Sequence, residues 1–185
     1  GVSPEVRTTV QVAAGSANTM VGVYGVSTDW IDIRSWTFKS GGNFNDTQLR
    51  DGAKVCILGA TTAKTLFGEN VDPVGQVIRL KNAPYQVIGW LEAKGSGSFG
   101  QDQDDNVIMP YTSVMKRLSG DTKFRSFSIQ AQSAEVITDV QNQLTELIRQ
   151  RHQITEGKED DFSIRNQQEM SDFANASNRI MTVLI

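Results

Sequence analysis

The sequence predicts an α+β fold, in which a split βαβ subdomain made from both ends of the chain surrounds an inserted β-rich region. Three observations predict it. Apolar and polar side chains alternate near the N-terminus and again around Phe127, the period of a half-buried strand. From Val136 to Ile148 the apolar residues instead recur at the helical period. Between these regions, residues 40–110 hold several short apolar runs separated by Gly, Pro and Asn, the composition of strands joined by turns.

Each element follows in order. Val6, Thr8 and Val10 share one face of a strand, and Met20 to Val26 reads as a second strand whose glycines favour close packing. Ser27-Thr28-Asp29 offers capping side chains to a helix carrying Trp30, Ile31, Ile33 and Trp36, and Gly41-Gly42-Asn43 breaks that segment. Lys54 to Leu58 is a short apolar strand ended by Gly59, and Ala60 to Phe67 a short helix closed by Gly68. Gln76 to Leu80 and Tyr85 to Leu91 form a hairpin across Lys81-Asn82-Ala83-Pro84. Asn106 to Met109 is a strand ended by Pro110, with a short helix from Tyr111 to Leu118.

In the last third, Phe127, Ile129 and Ala131 alternate as a strand, and Ser133 caps a helix striped by Val136, Ile137, Val140, Leu144, Leu147 and Ile148. Arg149 and Arg151 suit the negative end of its dipole. After the polar stretch Thr155 to Asp161, Phe162 and Ile164 read as a strand, which completes a right-handed βαβ unit. A final helix places Met170, Phe173, Ala174, Ser177, Ile180, Met181 and Leu184 on one face.

Composition removes several function classes. The 185 residues carry 18 Lys and Arg against 21 Asp and Glu, a net charge of −3, and no basic stripe of the kind nucleic acid requires. One Cys and one His leave no internal disulfide and no Cys/His zinc site. No run of apolar residues is long enough to span a bilayer. The sequence opens on Gly1 without an initiator Met or a signal peptide, and it stops on the apolar run Ile180 to Ile185. That run reads either as the entrance to something more apolar or as a last helical turn packed on the core.

Candidate chemistry is sparse. Gly95-Ser96-Gly97-Ser98-Phe99-Gly100 matches G-x-G-x-x-G, but acidic residues and a strand follow it, where a dinucleotide site needs a helix N-terminus. It reads as a mobile surface loop. Asp102, Asp104 and Asp105 lack the EF-hand spacing and read as a solvated acidic loop. His152 reads as a surface residue at a helix end, and Cys56 as a small core residue. Neither a G-x-S-x-G elbow nor a P-loop occurs, so no catalytic, cofactor-binding or metal-binding residue is assigned and function is expected in surfaces or movement.

An ordered series of motifs carries a resemblance. Val55-Cys56-Ile57-Leu58-Gly59, Leu66-Phe67-Gly68, Asp72-Pro73-Val74-Gly75-Gln76, Ile78-Arg79-Leu80, Tyr85-Gln86-Val87-Ile88-Gly89, Lys94-Gly95, Gln103-Asp104-Asp105 and Pro110-Tyr111-Thr112 follow one another. Upstream stand Gly25-Val26-Ser27, Ile33-Arg34-Ser35-Trp36 and Gly42-Asn43-Phe44. This series, over about residues 5–170, resembles the periplasmic core domain of MacB-like ABC transporter permeases, within the FtsX-like permease superfamily. Asn43 stands where the family usually has Arg.

The resemblance implies a porter-like subdomain from residues 1–39 and 111–185 and an inserted, Sabre-like β-rich subdomain from residues 40–110. It implies a non-enzymatic domain on the periplasmic side of the bacterial inner membrane, part of an integral membrane protein whose ATP and Mg sites lie in a separate cytoplasmic domain. Ile180 to Ile185 then leads toward a second transmembrane helix. The implied role is mechanotransmission in efflux or export, with antibiotic resistance among its outcomes. The implied partners are a second copy of the chain, a periplasmic adaptor, an outer-membrane TolC-type channel and an exported small molecule or peptide, with no nucleic acid. Phe99, the only large apolar residue of the glycine-rich loop, becomes a candidate exit-path contact. The competing reading is a periplasmic binding or regulatory module of an FtsX-like or lipoprotein-releasing permease.

Overall fold

The computed structural model describes residues 1–97, 100–120, 123–166 and 169. The chain divides into two compact units, Gly1–Gln130 and Ala131–Ile185. The fold is α+β, as the sequence predicts.

The first unit begins with β1 (Val2–Ala14) and β2 (Ala17–Val26), an antiparallel hairpin. Gly15 turns it with φ +57°, a left-handed conformation that costs glycine little. Then follow α1 (Trp30–Ile33), β3 (Phe38–Gly41), α2 (Asp46–Asp51), β4 (Val55–Leu58), α3 (Ala60–Phe67), β5 (Val77–Leu80), β6 (Ala83–Leu91), β7 (Asn106–Pro110), α4 (Tyr111–Val114) and β8 (Ser126–Ile129). The ladder runs β2-β7-β4-β6-β5-β1, and β1 also pairs with β2, so these six strands close into a barrel. The β5–β1 seam is short, with Val12 opposite Leu80 and Ala13 opposite Arg79, and the β4–β7 ladder likewise has two pairs. Strand β3 pairs with the end of β6, and β8 pairs with the first residues of β1.

Two hydrophobic cores result, and β4 belongs to both. Cys56 and Leu58 join Val6, Val10, Val12, Val21, Val23, Ile78, Leu80, Tyr85, Val87, Val107 and Met109 in the first. Val55 and Ile57 join Val26, Trp30, Ile31, Phe44, Leu91 and Ile108 in the second, on the other face of the strand. A strand covered on both faces reads as an unbroken apolar run, which is the pattern Val55-Cys56-Ile57-Leu58 shows.

Several elements differ from expectation for local reasons. The first helix stops at Ile33 because Ser35 takes φ +51°, so Trp36 lies outside it. Strand β3 and helix α2 have no counterpart in the sequence reading; α2 is started by a reciprocal capping box between Asn45 and Gln48 and ended by Gly52 at φ +64°. After one α-turn, the expected helix 111–118 continues as a π-turn over Met115–Ser119.

In the second unit, a 3₁₀ turn at Ala134–Val136 leads into α5 (Ile137–Arg151). Its half-buried positions include Ile137, Val140, Leu144 and Ile148, the expected stripe, while Leu147 is exposed. The strand expected at Phe162 and Ile164 is not formed among the described residues. Phe162 instead packs edge-on against His152, with ring centroids 6.2 Å apart, and Asn166 donates to the Gln141 side chain at 3.1 Å. The expected final helix from Met170 to Leu184 lies outside the described residues.

Candidate functional site

Two polar assemblies stand out on the first unit. The earlier one is built where β1, β8 and α1 meet. Val2 pairs with Ile129, Ser3 with Ser128, Pro4 with Phe127 and Glu5 with Ser126. Residues opposite one another share a face, so Ser3, Glu5, Ser126 and Ser128 lie on one side of this ladder and Val2, Pro4, Phe127 and Ile129 on the other. On the polar side Ser3 is 0% and Glu5 2% exposed and Ser128 is half-buried, with only Ser126 at the edge exposed, whereas Phe127 on the other side is 59% exposed. This inverts the usual apolar-in pattern of a sheet.

A buried carboxylate needs partners, and Glu5 has four. The Trp30 indole Nε1 donates to its Oε1 at 2.8 Å, and the Ser128 hydroxyl donates to the same oxygen. Arg34 approaches Oε1 at 3.5 Å and Arg7 approaches Oε2 at 3.3 Å. Burial pushes the Glu5 pKa up, but the hydrogen bonds from Ser128 and Trp30, then the charges of Arg34 and Arg7, outweigh it. The carboxyl is held below its usual range. Arg7 also lies 4.5 Å from the Tyr24 ring centroid, and the Tyr24 and Trp30 rings stand 5.8 Å apart. Ser27 N donates to Ser3 Oγ at 3.0 Å, which ties the end of β2 into the same place.

The other assembly is the acidic stretch 102–105, where Asp102 and Asp105 are exposed as the composition predicts and Asp104 is not. Asp104 is 3% exposed. Its two carboxylate oxygens accept from the Lys94 and Gly95 backbone amides, both at 2.8 Å, and its own amide donates to Asp102 Oδ1 at 2.7 Å. Thr61 donates to Asp102 at 2.7 Å and Thr62 to Asp105 at 3.0 Å, so two carboxylates meet the first turn of α3, where a helix dipole favours negative charge. The glycine-rich segment expected to be a mobile loop is therefore tied at its base, and Gln103 N donates to Gly95 O at 3.1 Å. Phe99, the candidate exit-path residue, lies outside the described residues.

The remaining candidates fall in plain surroundings. Cys56 is fully buried, and burial pushes its thiol pKa up, away from thiolate chemistry. His152 closes the end of α5 with Nδ1 2.8 Å from Asp161. Asn43, the departure from the family pattern, donates to Thr28 O at 2.8 Å and accepts from Phe44 N at 2.9 Å. Among the described residues no three His, Cys, Asp or Glu side chains are grouped to hold a metal ion. No described helix is long and apolar enough to cross a membrane. Sequence reasoning missed the Glu5 assembly, although its signal was present in Ser3 and Glu5 alternating opposite Ser126 and Ser128.

The family model described as the MacB-like periplasmic core domain matches residues 1–147. The chain belongs to the MacB-like periplasmic core domain family. A macrolide export ATP-binding/permease protein MacB from Rhodospirillum rubrum is 38% identical over 152 residues, covering 82% of this chain and 23% of that protein. One from Azoarcus sp. is 32% identical over 182 residues, covering 98% of this chain and 27% of that protein. This core domain thus spans about a quarter of the length of these relatives. Its fold is similar to the periplasmic region of MacB from Actinobacillus actinomycetemcomitans, with a TM-score of 0.76 at 21% identity over 95% of this chain and 75% of that one. It is also similar to the extracellular domain of the noncanonic ABC-type transporter YknZ from Gram-positive bacteria, with a TM-score of 0.69 at 19% identity over 84% of this chain and 77% of that one.

Proposed function

We propose that this core domain is the periplasmic relay of a MacB-type ABC transporter permease of the inner membrane. In this reading ATP turnover in a separate cytoplasmic domain, with its Mg, changes the arrangement of membrane helices. Paired copies of the core domain then close or part and expel a small molecule or peptide from the periplasm. An adaptor and an outer-membrane TolC-type channel complete the path. The domain itself makes and breaks no covalent bond. Membership of the MacB-like family over residues 1–147 is the observation that carries the reading. The energy comes from the different nucleotide affinities of two conformational states, so the domain needs stiffness more than a site. A closed six-stranded barrel whose strand β4 is covered on both faces supplies that stiffness.

We retain the division into a porter-like subdomain of residues 1–39 and 111–185 and a Sabre-like insertion of residues 40–110. It rests on the family resemblance; within the barrel the insertion meets β1 over two residue pairs and, through β7, meets β2 over five. Phe99 remains our candidate exit-path contact.

The test is made in the whole transporter reconstituted with its adaptor. Excising the core domain is expected to leave basal ATP hydrolysis while export stops; export that continues at the parental rate overturns the relay. Phe99→Ala is expected to lower export per ATP hydrolysed, and unchanged coupling removes that residue from the path. The second reading, a periplasmic binding or regulatory module of an FtsX-like or lipoprotein-releasing permease, would use the same fold. It predicts direct, saturable binding of cargo or a periplasmic regulator to the isolated domain, measured by calorimetry.

A further inference from the structure

Both chain ends of the unit Gly1–Gln130 leave from one place. Gln130 N donates to Gly1 O at 3.0 Å, and Val2 and Ile129 are paired just inside them. Among the described residues, strand β8 lies at an edge of the sheet, paired only with β1. Its connections among them include the four-residue ladder to β1, the contact of Phe127 with Phe124 at 5.7 Å between ring centroids, and the hydroxyl of Ser128 on Glu5. The ladder alone does not fix register, since the face carrying Val2, Phe127 and Ile129 is exposed and rewards no particular alignment. The other face does. A slip of one residue would replace Ser128 by Phe127 or Ile129 beside a buried carboxylate and strip it of a donor.

We propose that Glu5 is a positioning residue. It locks the register of β8 on β1 and fastens both strands to α1, so that load entering at either chain end reaches the barrel through one joint. Arg7 and Arg34 are 56% and 47% exposed, while the carboxylate they serve is 2% exposed. Water can replace the cations but cannot reach the anion, so the anion is the element that cannot be given up. A buried ion pair adds little net stability; its use here is specificity of alignment. The charged groups facing Glu5 are Arg7 from β1 and Arg34 just after α1; α1 adds Trp30, β8 adds Ser128, and β2 places Tyr24 behind Arg7.

The part of the inference that concerns load rests on the relay reading; the part that concerns register does not. Hydrogen exchange on the 185-residue chain tests the register. Glu5→Gln and, independently, the milder Ser128→Ala are expected to speed exchange over 126–129 about tenfold, and to leave the barrel strands Val55–Leu58 and Asn106–Pro110 within about twofold. The folded-state pKa of Glu5 is lowered, so the lock is complete above the unfolded value and is lost as pH falls through the lower folded value. Exchange over 126–129, corrected for intrinsic rates, should therefore step up in acid in the parent, and the step should vanish in Glu5→Gln. Unchanged exchange in both variants, an equal loosening of the barrel, or a persistent acid step overturns the register role. In the whole transporter, Glu5→Gln should keep ATP hydrolysis and lose export. Export unchanged despite a loosened β8 overturns the load role alone, whereas a parent that exports nothing overturns the relay reading and leaves the register result standing.

Discussion

At Gly59 there is no room for a side chain. A Cβ there would lie 2.2 Å from the Asp104 carbonyl oxygen and 2.9 Å from Asn106 Oδ1. The backbone of β7's approach can withdraw only by leaving its own bonds, including Gly59 N to Asn106 O at 3.0 Å. Gly59→Ala is therefore expected to destabilise the first unit by about 1–3 kcal/mol through overpacking, read as a lowered urea midpoint. Asp104→Ala removes the acceptor of two backbone amides and leaves the helix-end threonines untouched. We expect about 1–3 kcal/mol lost from that buried anchor, measured by the same denaturation. Cys56 gives a test of burial: with its pKa pushed up and its side chain fully covered, it should resist thiol reagents in the native chain. Full labelling should appear only on unfolding, and rapid native labelling would contradict the two-sided covering of β4.

Elements are decided by their ends as much as by their faces. Helix α2 has six residues and none of them is fully buried, though Leu49 packs half-buried against the second core. Its start is set by Asn45, whose side chain accepts from Gln48 N at 2.9 Å while Gln48 returns a bond to Asn45 N at 2.9 Å. Asn45→Ala should cost about 1 kcal/mol and reduce protection in this helix alone. Helix α5 has the opposite character. Its stripe was plain from spacing, and its C-terminal turn is closed by side chains: Arg149 pairs with Asp160 and donates to Thr155 O and Lys158 O, both at 3.2 Å. Phe162 is drawn onto His152 at that same end, which explains why an alternating Phe162-Ser163-Ile164 does not make a strand. Alternation states what a segment could do in a sheet, and a competing contact decided otherwise.

On the scale of the whole molecule, closure of the barrel is the decisive event. The hairpin β1–β2 is local, whereas the β5–β1 seam joins residues far apart in sequence through two pairs. Leu80 is fully buried at that seam, opposite the fully buried Val12. Leu80→Ala should cost about 2–5 kcal/mol, the upper range of core truncations, and should broaden or lower the thermal transition of the first unit. A chain ending at Gln130 contains every strand of the barrel. It is expected to fold with a single cooperative transition by circular dichroism, and a molten or aggregated product would show that the barrel needs residues beyond 130.

The sequence by itself determined the class, most of the strands and helices, the apolar stripe of α5, the core position of Cys56 and the family to which the chain belongs. These are carried by periodicity, by turn residues and by ordered local motifs such as Asp72-Pro73-Val74-Gly75. Only the tertiary structure decided that Asp104 is an internal anchor, that the ladder closes into a ring, and that Ser3 and Glu5 face inward while Phe127 faces out. Each of those outcomes depends on which distant residue supplies the partner: Lys94 and Gly95 for Asp104, Leu80 for Val12, Trp30 and Ser128 for Glu5. A charged side chain looks solvated in a sequence because its own chemistry favours water; burial becomes affordable only where the fold delivers donors from elsewhere.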